Sequence, residues 1–464
     1  MSREAWTAFT SRFAQYGDRP ALRSGSAVIS YRELSKLVEE RGNEIVAAAG
    51  PARERIVITS DDMLESLLLF LGAWAVDKVP VLVRENTPAG SVQRVAEFLD
   101  IRSLLFGGQW VQRSDGGPAV EPGPNEAMVL TTSGTSGLPK FVALPDASPS
   151  LNADAIARDL DMTPEDRVLV AQPLSHVYGL VGGALTGLWA GAEVHLLSPH
   201  TPGPILHRHV RGAGLTVLQG APSFWRLFLA MWRSDPFESV RVWTTASEAP
   251  GRELIERIER ATPRALGVIG FGMTEAGPRV SHVSSDLVKS NVGAVGIPFA
   301  HIDWTVTDPG TDGVGTLCLR GPSMFSGYVA EDGRYSGYRG DGFFETSDLV
   351  SVDASGSLLH KGRADQRVKV GGHLINPAVL EQLVLGMDGV DDACVLTEDH
   401  PILDRELVIE IVRADGNSLS SRDVINAARS ELEPSLVPRK VRFVDAVQRT
   451  GAGKRRRTSS SVER

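Results

Sequence analysis

The sequence predicts an α/β protein with a large N-terminal domain of mixed or parallel sheets covered by helices, a β-rich subdomain, and a small α+β C-terminal domain. Three observations support this fold class. Strand-like and helix-like runs alternate up to about residue 290, short β-like runs separated by glycines follow, and strand–helix–strand units return after Asp365. The 464 residues exceed what one ordinary core needs. We therefore place the large domain at residues 1–364 and the small domain at residues 365–464.

The large domain begins with a helix signal and continues with repeated strand–helix units. Ser30 is placed to cap a helix and Glu33 to complete a capping box, ahead of apolar residues at helical spacing. The apolar runs that follow predict strands, and the longer stretches between them predict helices. The predicted strands are 56–59, 79–83, 167–171, 193–197 and 215–219, and the predicted helices are 63–75, 180–190 and 223–232.

Beyond residue 290 the pattern becomes that of short strands and turns. Gly293, Gly296 and Pro298 interrupt the chain, and the β-like runs that follow predict the β-rich subdomain. Its predicted strands are 302–306, 315–320, 344–350 and 357–361. In the small domain, strands are predicted at 393–396, 406–412 and 440–444.

The composition is that of a soluble globular protein and argues against two classes of partner. The net charge is −9, from 48 basic and 57 acidic residues, which disfavours a nucleic-acid-binding surface. The longest apolar region, 67–83, is interrupted by Asp77 and Lys78 and is too short to span a membrane. The two cysteines, Cys318 and Cys394, exclude a disulfide framework, and the charged N-terminus does not resemble a signal peptide. We expect a cytoplasmic protein with no nucleic-acid or membrane partner.

Residues 130–140 carry the densest set of polar donors in the chain. Five hydroxyl side chains, two glycines and Lys140 follow the apolar run 127–130. Hydroxyl and backbone N–H donors, a closely approaching backbone and a lysine charge suit the phosphates of a nucleotide. The stretch is not a standard P-loop, because Lys140 stands between Pro139 and Phe141. A Ser/Gly-rich surface linker has the same composition, so these residues alone leave both interpretations open.

Three further segments place reactive groups next to β-like runs. In 271–275, Thr274 is suited to bond a phosphate and Glu275 to hold Mg²⁺, with a helix cap as the ordinary alternative. Asp348 is suited to accept hydrogen bonds from ribose hydroxyls, and a turn-forming aspartate is its alternative. Residues 362–372 join a charged, hinge-like segment to two glycines, which a tight turn between strands would equally explain.

In their order and spacing these segments resemble the adenylate-forming superfamily, which includes acyl-CoA and aryl-CoA ligases, adenylation domains of peptide synthetases, and luciferases. The resemblance extends over nearly the whole chain, from the 30–34 segment to Lys454. It implies that the small domain is mobile and that ATP and Mg²⁺ convert a carboxylic acid into acyl-AMP with release of pyrophosphate. Such a reaction brings an anionic carboxylate against an anionic phosphate, so the site must supply positive charge.

The resemblance also implies a role for each motif residue. Catalytic roles would fall to Lys454, His176, Thr274 and Glu275, and Glu275 would hold Mg²⁺. ATP or AMP would be bound by Thr132, Ser133, Gly134, Thr135, Ser136, Gly137, Lys140, Ser247, Glu248, Ala249, Phe271, Gly272, Met273, Asp348 and Arg363. The acid pocket would include His176, Val177 and Gly270; Asp365 would be the hinge; Gly371 and Gly372 would flank the path of a thiol acceptor. Arg455, Arg456 and Arg457 are expected to be solvated or to contact an anionic acceptor.

The sequence departs from the family pattern at three positions. Phe141 replaces the glycine that usually follows the loop lysine, and Ser347 replaces the glycine before the ribose aspartate. Val177 stands where members that activate amino acids usually carry an aspartate, and valine cannot pair with an α-ammonium group. We therefore expect the substrate to be an aryl or acyl carboxylic acid without an α-amino group. Tyr178, Phe224 and Trp225 would either line its pocket or pack in the core.

The function that the resemblance implies has two half-reactions. The first makes acyl-AMP, and the second passes the acyl group to a thiol, with CoA preferred because Gly371 and Gly372 resemble the turn that the pantetheine arm crosses. A phosphopantetheine on an acyl or aryl carrier protein, an amine, and nitrite activation leading to a diazo product are the alternatives. A non-catalytic ligand-binding relative is a more remote one.

Overall fold

A computed structural model describes residues 4–84, 87–113, 121–132, 140–331, 334–338, 342–370, 373–400, 404–449 and 455–456. The helices in these ranges are α1 (Glu4–Tyr16), α2 (Tyr31–Ala49), α3 (Met63–Ala75), α4 (Ala89–Phe98), α5 (Ala147–Asp159), α6 (Val177–Gly179), α7 (Thr186–Ala190), α8 (Gly203–Gly212), α9 (Pro222–Ala230), α10 (Arg252–Ala261), α11 (Ser285–Ser290), α12 (Pro377–Leu385) and α13 (Ser421–Glu431). A π-helical turn, Leu180–Leu185, joins α6 to α7. None of these helices is long and apolar enough to cross a membrane.

The strands form two large mixed sheets, an antiparallel sheet and two small ones. In chain order they are β1 (Pro20–Ser24), β2 (Ala27–Ser30), β3 (Arg55–Ile58), β4 (Val79–Leu82), β5 (Ser103–Phe106), β6 (Gln109–Gln112), β7 (Glu126–Thr132), β8 (Lys140–Pro145), β9 (Arg167–Val170), β10 (Glu193–Leu196), β11 (Val217–Gln219), β12 (Val242–Ala246), β13 (Leu266–Phe271), β14 (Ser281–Ser284), β15 (Ala294–Gly296), β16 (Asp303–Thr307), β17 (Gly315–Arg320), β18 (Gly327–Val329), β19 (Tyr335–Ser336), β20 (Phe344–Val352), β21 (Leu358–Arg363), β22 (Val368–Val370), β23 (His373–Ile375), β24 (Val390–His400), β25 (Asp404–Arg413) and β26 (Lys440–Phe443).

The sheet topology confirms the predicted fold class. The two eight-stranded sheets have the orders β14-β13-β12-β11-β9-β10-β1-β2 and β19-β18-β8-β7-β4-β3-β5-β6, with parallel centres and antiparallel edges. The β-rich subdomain is the five-stranded antiparallel sheet β15-β21-β20-β17-β16. The strands β24-β25-β26 form the sheet of the C-terminal part.

Local sequence signals explain where several elements begin. The hydroxyl oxygen of Ser30 accepts a hydrogen bond from the backbone of Glu33, and the Glu33 carboxylate accepts one from the Ser30 backbone at 2.8 Å, which is the predicted capping box at the start of α2. Helix α3 has the predicted bounds, and its middle is buried on every side because eight consecutive residues, 67–74, are packed. The helical segment predicted at 180–190 begins earlier, at Val177, because α6 precedes it. The π-helical turn then continues the segment through Gly182 and Gly183.

The apolar cores follow the layers of the fold. The largest cluster packs α1, α2 and α3 with both large sheets, and a second surrounds Trp225 and Trp243 under β11 and β12. A third cluster consists almost entirely of residues 370–428. This separate core supports the proposed division near residue 365, whose boundary stays a prediction. Cys318 and Cys394 are both buried and neither forms a disulfide, and the cytoplasmic location likewise stays a prediction.

The parallel pairing of β12 and β13 positions the loops that matter for function. Ala246 at the end of β12 lies opposite Gly270 at the end of β13. Carboxyl ends of parallel strands meet at one sheet edge, so the loop beginning at Ser247 and the segment beginning at Phe271 emerge side by side.

His195 in β10 predicts a loss of stability in mild acid. The ring is fully buried, and its Nδ1 lies 2.9 Å from Nε2 of His209. This burial lowers the pKa of His195 to about 4, although the charge of Glu193 opposes the shift. Its contribution to stability is present above the ordinary histidine pKa and is lost as pH falls toward 4. We expect the free energy of unfolding to drop by about 3 kcal/mol from this residue between pH 7 and 4.

Urea unfolding of the wild type and of His195→Asn at several pH values in this range measures that contribution. The variant should show a shallower dependence on pH, whereas His200→Asn, an exposed control, should keep the wild-type slope. Equal slopes for all three proteins would show that His195 carries no such penalty.

Candidate active site

The predicted metal ligand Glu275 and the loop lysine Lys140 meet at Tyr328. Glu275 lies in the short 3₁₀ turn Thr274–Ala276 just beyond β13, and its Oε1 accepts a hydrogen bond from the Tyr328 hydroxyl at 2.8 Å. The Nζ of Lys140 lies 4.9 Å from the centroid of the Tyr328 ring. Burial, reinforced by the charge of Glu275, raises the pKa of Tyr328 far above its ordinary value. The phenol therefore keeps its proton and donates a hydrogen bond to Glu275. The two predicted phosphate-side groups are therefore neighbours.

Strands β7 and β8 hold the ends of the predicted phosphate loop together. They pair antiparallel with Thr132 opposite Lys140, so the chain leaves and re-enters the sheet at one point. The loop residues between them, Ser133, Gly134, Thr135, Ser136 and Gly137, lie outside the described residues.

Phe141, the departure from the family pattern, belongs to the core. Its side chain is buried and stacks on Phe98 with ring centroids 5.1 Å apart and an interplanar angle of 28°. Because successive side chains of a strand point to opposite faces, Lys140 faces Tyr328 while Phe141 packs beneath the sheet. The phenylalanine thus anchors β8 without entering the site.

A second cluster surrounds Asp348, the predicted ribose ligand. Asp348 is 5% exposed; its Oδ1 lies 2.9 Å from Nε2 of His360 and its Oδ2 lies 3.4 Å from Nη1 of Arg363. The ring of His360 is also 5.7 Å, centroid to centroid, from the ring of Phe271, the predicted adenine contact. The structure thus brings Phe271, Asp348 and Arg363 together, as the resemblance implied, and adds His360.

Sequence reasoning missed His360 because of a β-bulge. Strand alternation would place His360 and Arg363 on opposite faces of β21. In the structure Asp348 pairs with Arg363 and Val350 with His360, so β21 holds one extra residue, and Gly362 within the bulge has φ +97°. Both basic side chains therefore reach one carboxylate. A histidine two residues before a glycine, near the end of a predicted strand, was the only signal in the sequence.

The predicted hinge residue Asp365 is tied to the large domain. Arg363 binds it through two nitrogens at 3.0 and 2.8 Å. These bonds from Arg363 outweigh partial burial and, with help from the Ser347 hydroxyl, lower the pKa of Asp365. The glycine that the family pattern has at position 347 could not make this contact.

The loop Ser247–Ala249 is contacted by the end of the chain. Ser247 has φ +80° and presents Glu248, whose Oε2 accepts a hydrogen bond from Arg449 at 2.8 Å and whose Oε1 accepts one from the backbone N–H of Arg455. The guanidinium of Arg455 also donates to the Ala249 carbonyl at 3.3 Å. Glu248, expected near adenine, thus binds the two described residues on either side of 450–454. Lys454 itself lies outside the described residues, as do Gly371 and Gly372.

The expectation that Arg455 is solvated or contacts an acceptor is wrong. Its side chain is 3% exposed and bonds Asp392 at 2.7 Å and Glu381 at 3.2 Å. Burial alone would raise the pKa of Asp392, but Arg455, Arg226 and Arg449 outweigh it and hold the pKa below its ordinary value. Arg456, by contrast, is exposed as expected. The cause is local: the acidic residues of α12 and β24 form a charged pocket that the tail fills.

The predicted acid-pocket residues lie at the start of α6 and the end of β13. His176 precedes α6 and is half-buried, while Val177 and Tyr178 are 5% and 4% exposed. The Tyr178 hydroxyl lies 3.0 Å from the Thr244 hydroxyl. Trp225, one of the aromatics proposed for the pocket or the core, is fully buried beside Trp243 and belongs to the core. Arg279, which the sequence analysis did not select, lies against Gly270 and Tyr178.

Comparison with known proteins adds independent findings. Residues 108–329 match the family model of the AMP-binding enzyme, and residues 379–454 match that of the AMP-binding enzyme C-terminal domain. A feruloyl-CoA synthase of Amycolatopsis sp. is 27% identical to the chain over 464 aligned positions, covering 94% of each.

Solved structures share the fold over nearly the whole chain. MatB from Rhodopseudomonas palustris, in its apo crystal structure, is 23% identical with a TM-score of 0.80, covering 98% of this chain and 97% of its own. The amide bond synthetase McbA from Marinactinospora thermotolerans is 20% identical with a TM-score of 0.81, covering 97% and 98%. Both similarities extend across the large sheets and the C-terminal part together.

Proposed function

Because the chain belongs to the adenylate-forming superfamily and is an AMP-forming ligase, we propose that it converts a non-amino carboxylic acid into acyl-AMP and passes the acyl group to the thiol of CoA. One observation carries the assignment of roles to residues. The five-residue segment 271–275 touches both clusters of the site. Phe271 lies beside His360, which contacts Asp348, and Glu275 is hydrogen-bonded to Tyr328, whose ring faces Lys140. A nucleotide bound along this segment has its nucleoside at one end and its phosphates at the other.

In the first half-reaction, a carboxylate oxygen of the acid attacks the α-phosphorus of ATP. A new C–O–P bond forms, the bond to the bridging oxygen of the β-phosphate breaks, and pyrophosphate leaves with that electron pair. Lys140 supplies positive charge at the leaving group and Lys454 at the α-phosphate, while Asp348 fixes the ribose. In the second half-reaction a thiolate attacks the acyl carbon, and AMP leaves as the thioester forms.

The residues around Glu275 fit a magnesium ion. Mg²⁺ is usually bound by one or two carboxylates together with the phosphates of the substrate and water. Glu275 uses Oε1 for Tyr328, and its Oε2 has no hydrogen bond to any described residue. Glu275 would hold the ion, which neutralises phosphate charge when bound.

The substrate class follows from Val177. This side chain is 5% exposed and packs in the largest apolar cluster. An α-ammonium group placed against it would be desolvated without a partner. An aryl or acyl acid without an α-amino group therefore suits the pocket.

Two observations favour CoA over the other acceptors. A relative that matches 94% of the chain is named a feruloyl-CoA synthase, and the sequence Gly371-Gly372 resembles the pantetheine turn of CoA ligases. The amide bond synthetase shares the fold at 20% identity, which supports the fold alone.

A panel of carboxylic acids assayed for pyrophosphate release with Mg·ATP tests the first half-reaction. We expect release that depends on the acid, and with CoA present a product whose mass equals the acid plus CoA minus water. A product formed only with a carrier protein or only with amines would replace CoA as the acceptor. Failure of every acid, with a nucleotide-binding protein intact, would instead favour the non-catalytic alternative.

A further inference from the structure

A buried arginine without a countercharge lies beside the predicted acid pocket. Arg279 is 4% exposed, and its guanidinium carbon is 4.3 Å from the centroid of the Tyr178 ring. Its Nε has no hydrogen-bond partner, and no carboxylate of the part of the chain described here lies within ion-pair distance. Burial lowers the pKa of Arg279, but a guanidinium stays charged at any physiological pH. A cation is thus held in the interior with no anion to balance it.

Arg279 shares its cavity with a second donor that lacks an acceptor. Gln219 is 3% exposed, and its Nε2 has no partner among the described residues. The polar and glycine positions of the cavity wall are Gly182, Gly183, Gln219, Thr244, Arg279 and His282, and the rest of the wall is apolar. Two buried donors that lack an acceptor among the described residues line one small cavity, and an acceptor from a ligand would satisfy both.

The other titratable groups of this cavity supply no negative charge to Arg279. The Nδ1 of His282 lies 2.6 Å from a carboxylate oxygen of Asp159, and burial lowers the pKa of His282, with the charge of Arg279 adding to the effect. Asp159 is thus engaged by His282. The Tyr178 hydroxyl lies 3.0 Å from the Thr244 hydroxyl.

The contact with Tyr178 is too weak to account for the buried charge. A cation over a phenol ring gains much less than the desolvation of an isolated cation costs. Buried charges in proteins are normally paired or bound to a ligand, so a structural role for Arg279 leaves its burial unexplained.

The position of Arg279 connects two segments already assigned to the acid pocket. A side chain carbon at Gly270 would be 2.7 Å from Arg279 Nε, so the glycine makes room for the guanidinium. Tyr178 directly follows Val177 and lies 3.1 Å from where a carbon at Gly182 would be. Arg279 therefore lies at the wall between β13 and the helix that begins at Val177.

We propose that the acid activated by this enzyme carries a second carboxylate, which Arg279 and Gln219 bind while the first carboxylate is adenylated. This proposal rests on the proposed function and narrows its substrate to dicarboxylic acids. A guanidinium presents two parallel N–H groups to a carboxylate, and the Gln219 amide supplies a further donor. The second carboxylate would provide the missing countercharge.

Matched acid pairs, assayed for pyrophosphate release by the full-length wild-type enzyme, test the proposal without any variant. Hexanoate against hexanedioate, and cinnamate against 4-carboxycinnamate, differ only in the second carboxylate. We expect kcat/KM to be higher for the dicarboxylic member of at least one pair by about 100-fold. Equal or better use of the monocarboxylic members would overturn the inference and leave the proposed function intact, whereas no release with any acid would remove both.

Variants then assign the preference to Arg279. Arg279→Met should abolish the advantage of the dicarboxylic acid, so that the ratio of kcat/KM for the two members of a pair falls to about one, and Arg279→Lys should retain part of the advantage. Arg264→Met removes an exposed arginine and should keep the wild-type preference. If Arg279→Met is folded by circular dichroism and still prefers the dicarboxylic acid, another residue binds the second carboxylate.

Discussion

Replacing Arg455 with methionine should lower kcat for pyrophosphate release by about 100-fold or more, because removing one partner of a buried ion pair costs about 3–5 kcal/mol. Glu381 would lose its ion pair with Arg455. Asp392 would keep only Arg226 and Arg449 among the described residues. Both carboxylates are at most 4% exposed, and the Arg455 guanidinium lies within 3.2 Å of each. The backbone of Arg455 also bonds Glu248 of the large domain. Loss of this anchor would release the tail that carries Lys454. Stopped-time assays of pyrophosphate formation at saturating ATP and acid measure the effect.

The neighbouring arginine provides a matched control. Arg456 is exposed, and Arg456→Met should leave kcat within about threefold of the wild type. Lys454→Ala should by itself abolish most of the activity, since it removes the charge proposed for the α-phosphate. In that background Arg455→Met should cost little more, because a positioning residue acts only through the residue that it positions.

Two results would show that Arg455 has another role. A full 100-fold loss added on top of Lys454→Ala would mean that Arg455 acts independently of the lysine. An increase in KM for ATP at unchanged kcat would place its effect on nucleotide binding through Glu248. Arg455→Lys should recover part of kcat, because it restores a charge between the carboxylates without the planar fork.

The features that depend on local sequence alone could be predicted. The capping box at Ser30 and Glu33, the bounds of α3, and the placement of Glu275 just beyond β13 depend on local patterns and adjacent residues. The resemblance likewise anticipated that Phe271, Asp348 and Arg363 would be neighbours. The capping box and the helix bounds depend only on neighbouring residues, and the approach of Arg363 to Asp348 follows from the antiparallel pairing of β20 with β21.

The features that sequence reasoning missed depend on contacts between distant parts of the chain. His360 reaches Asp348 only because a bulge at Gly362 cancels strand alternation. Arg455 is buried because acidic side chains of α12 and β24 surround it, although a run of basic residues is typical of a solvent-exposed segment. Arg279 became visible once the structure showed a buried cation without an anion. Burial of a charged side chain depends on tertiary contacts, so the local amino-acid sequence does not predict it.

Replacing Asp348 with asparagine should raise KM for ATP and lower kcat/KM for ATP by about 100-fold, with less effect on KM for the acid. An ionised carboxylate accepts hydrogen bonds from both ribose hydroxyls, whereas an amide offers one accepting oxygen and turns its NH₂ toward other donors. In this chain those donors are His360 and Arg363, at 2.9 and 3.4 Å. The amide would therefore repel the groups that now orient the side chain.

Asp353→Asn provides the control on the same pair of strands. Asp353 lies in the turn between β20 and β21 and accepts hydrogen bonds from the backbone of Ser355 and Ser357, away from the cluster. This variant should weaken the turn and leave KM for ATP unchanged. If Asp348→Asn lowered thermal stability while KM for ATP stayed at the wild-type value, Asp348 would be a structural partner of His360 and Arg363. A rise in KM for ATP without loss of stability is the result that a ribose ligand requires. The carboxylate is 5% exposed, so it has to become accessible to the nucleotide when ATP binds.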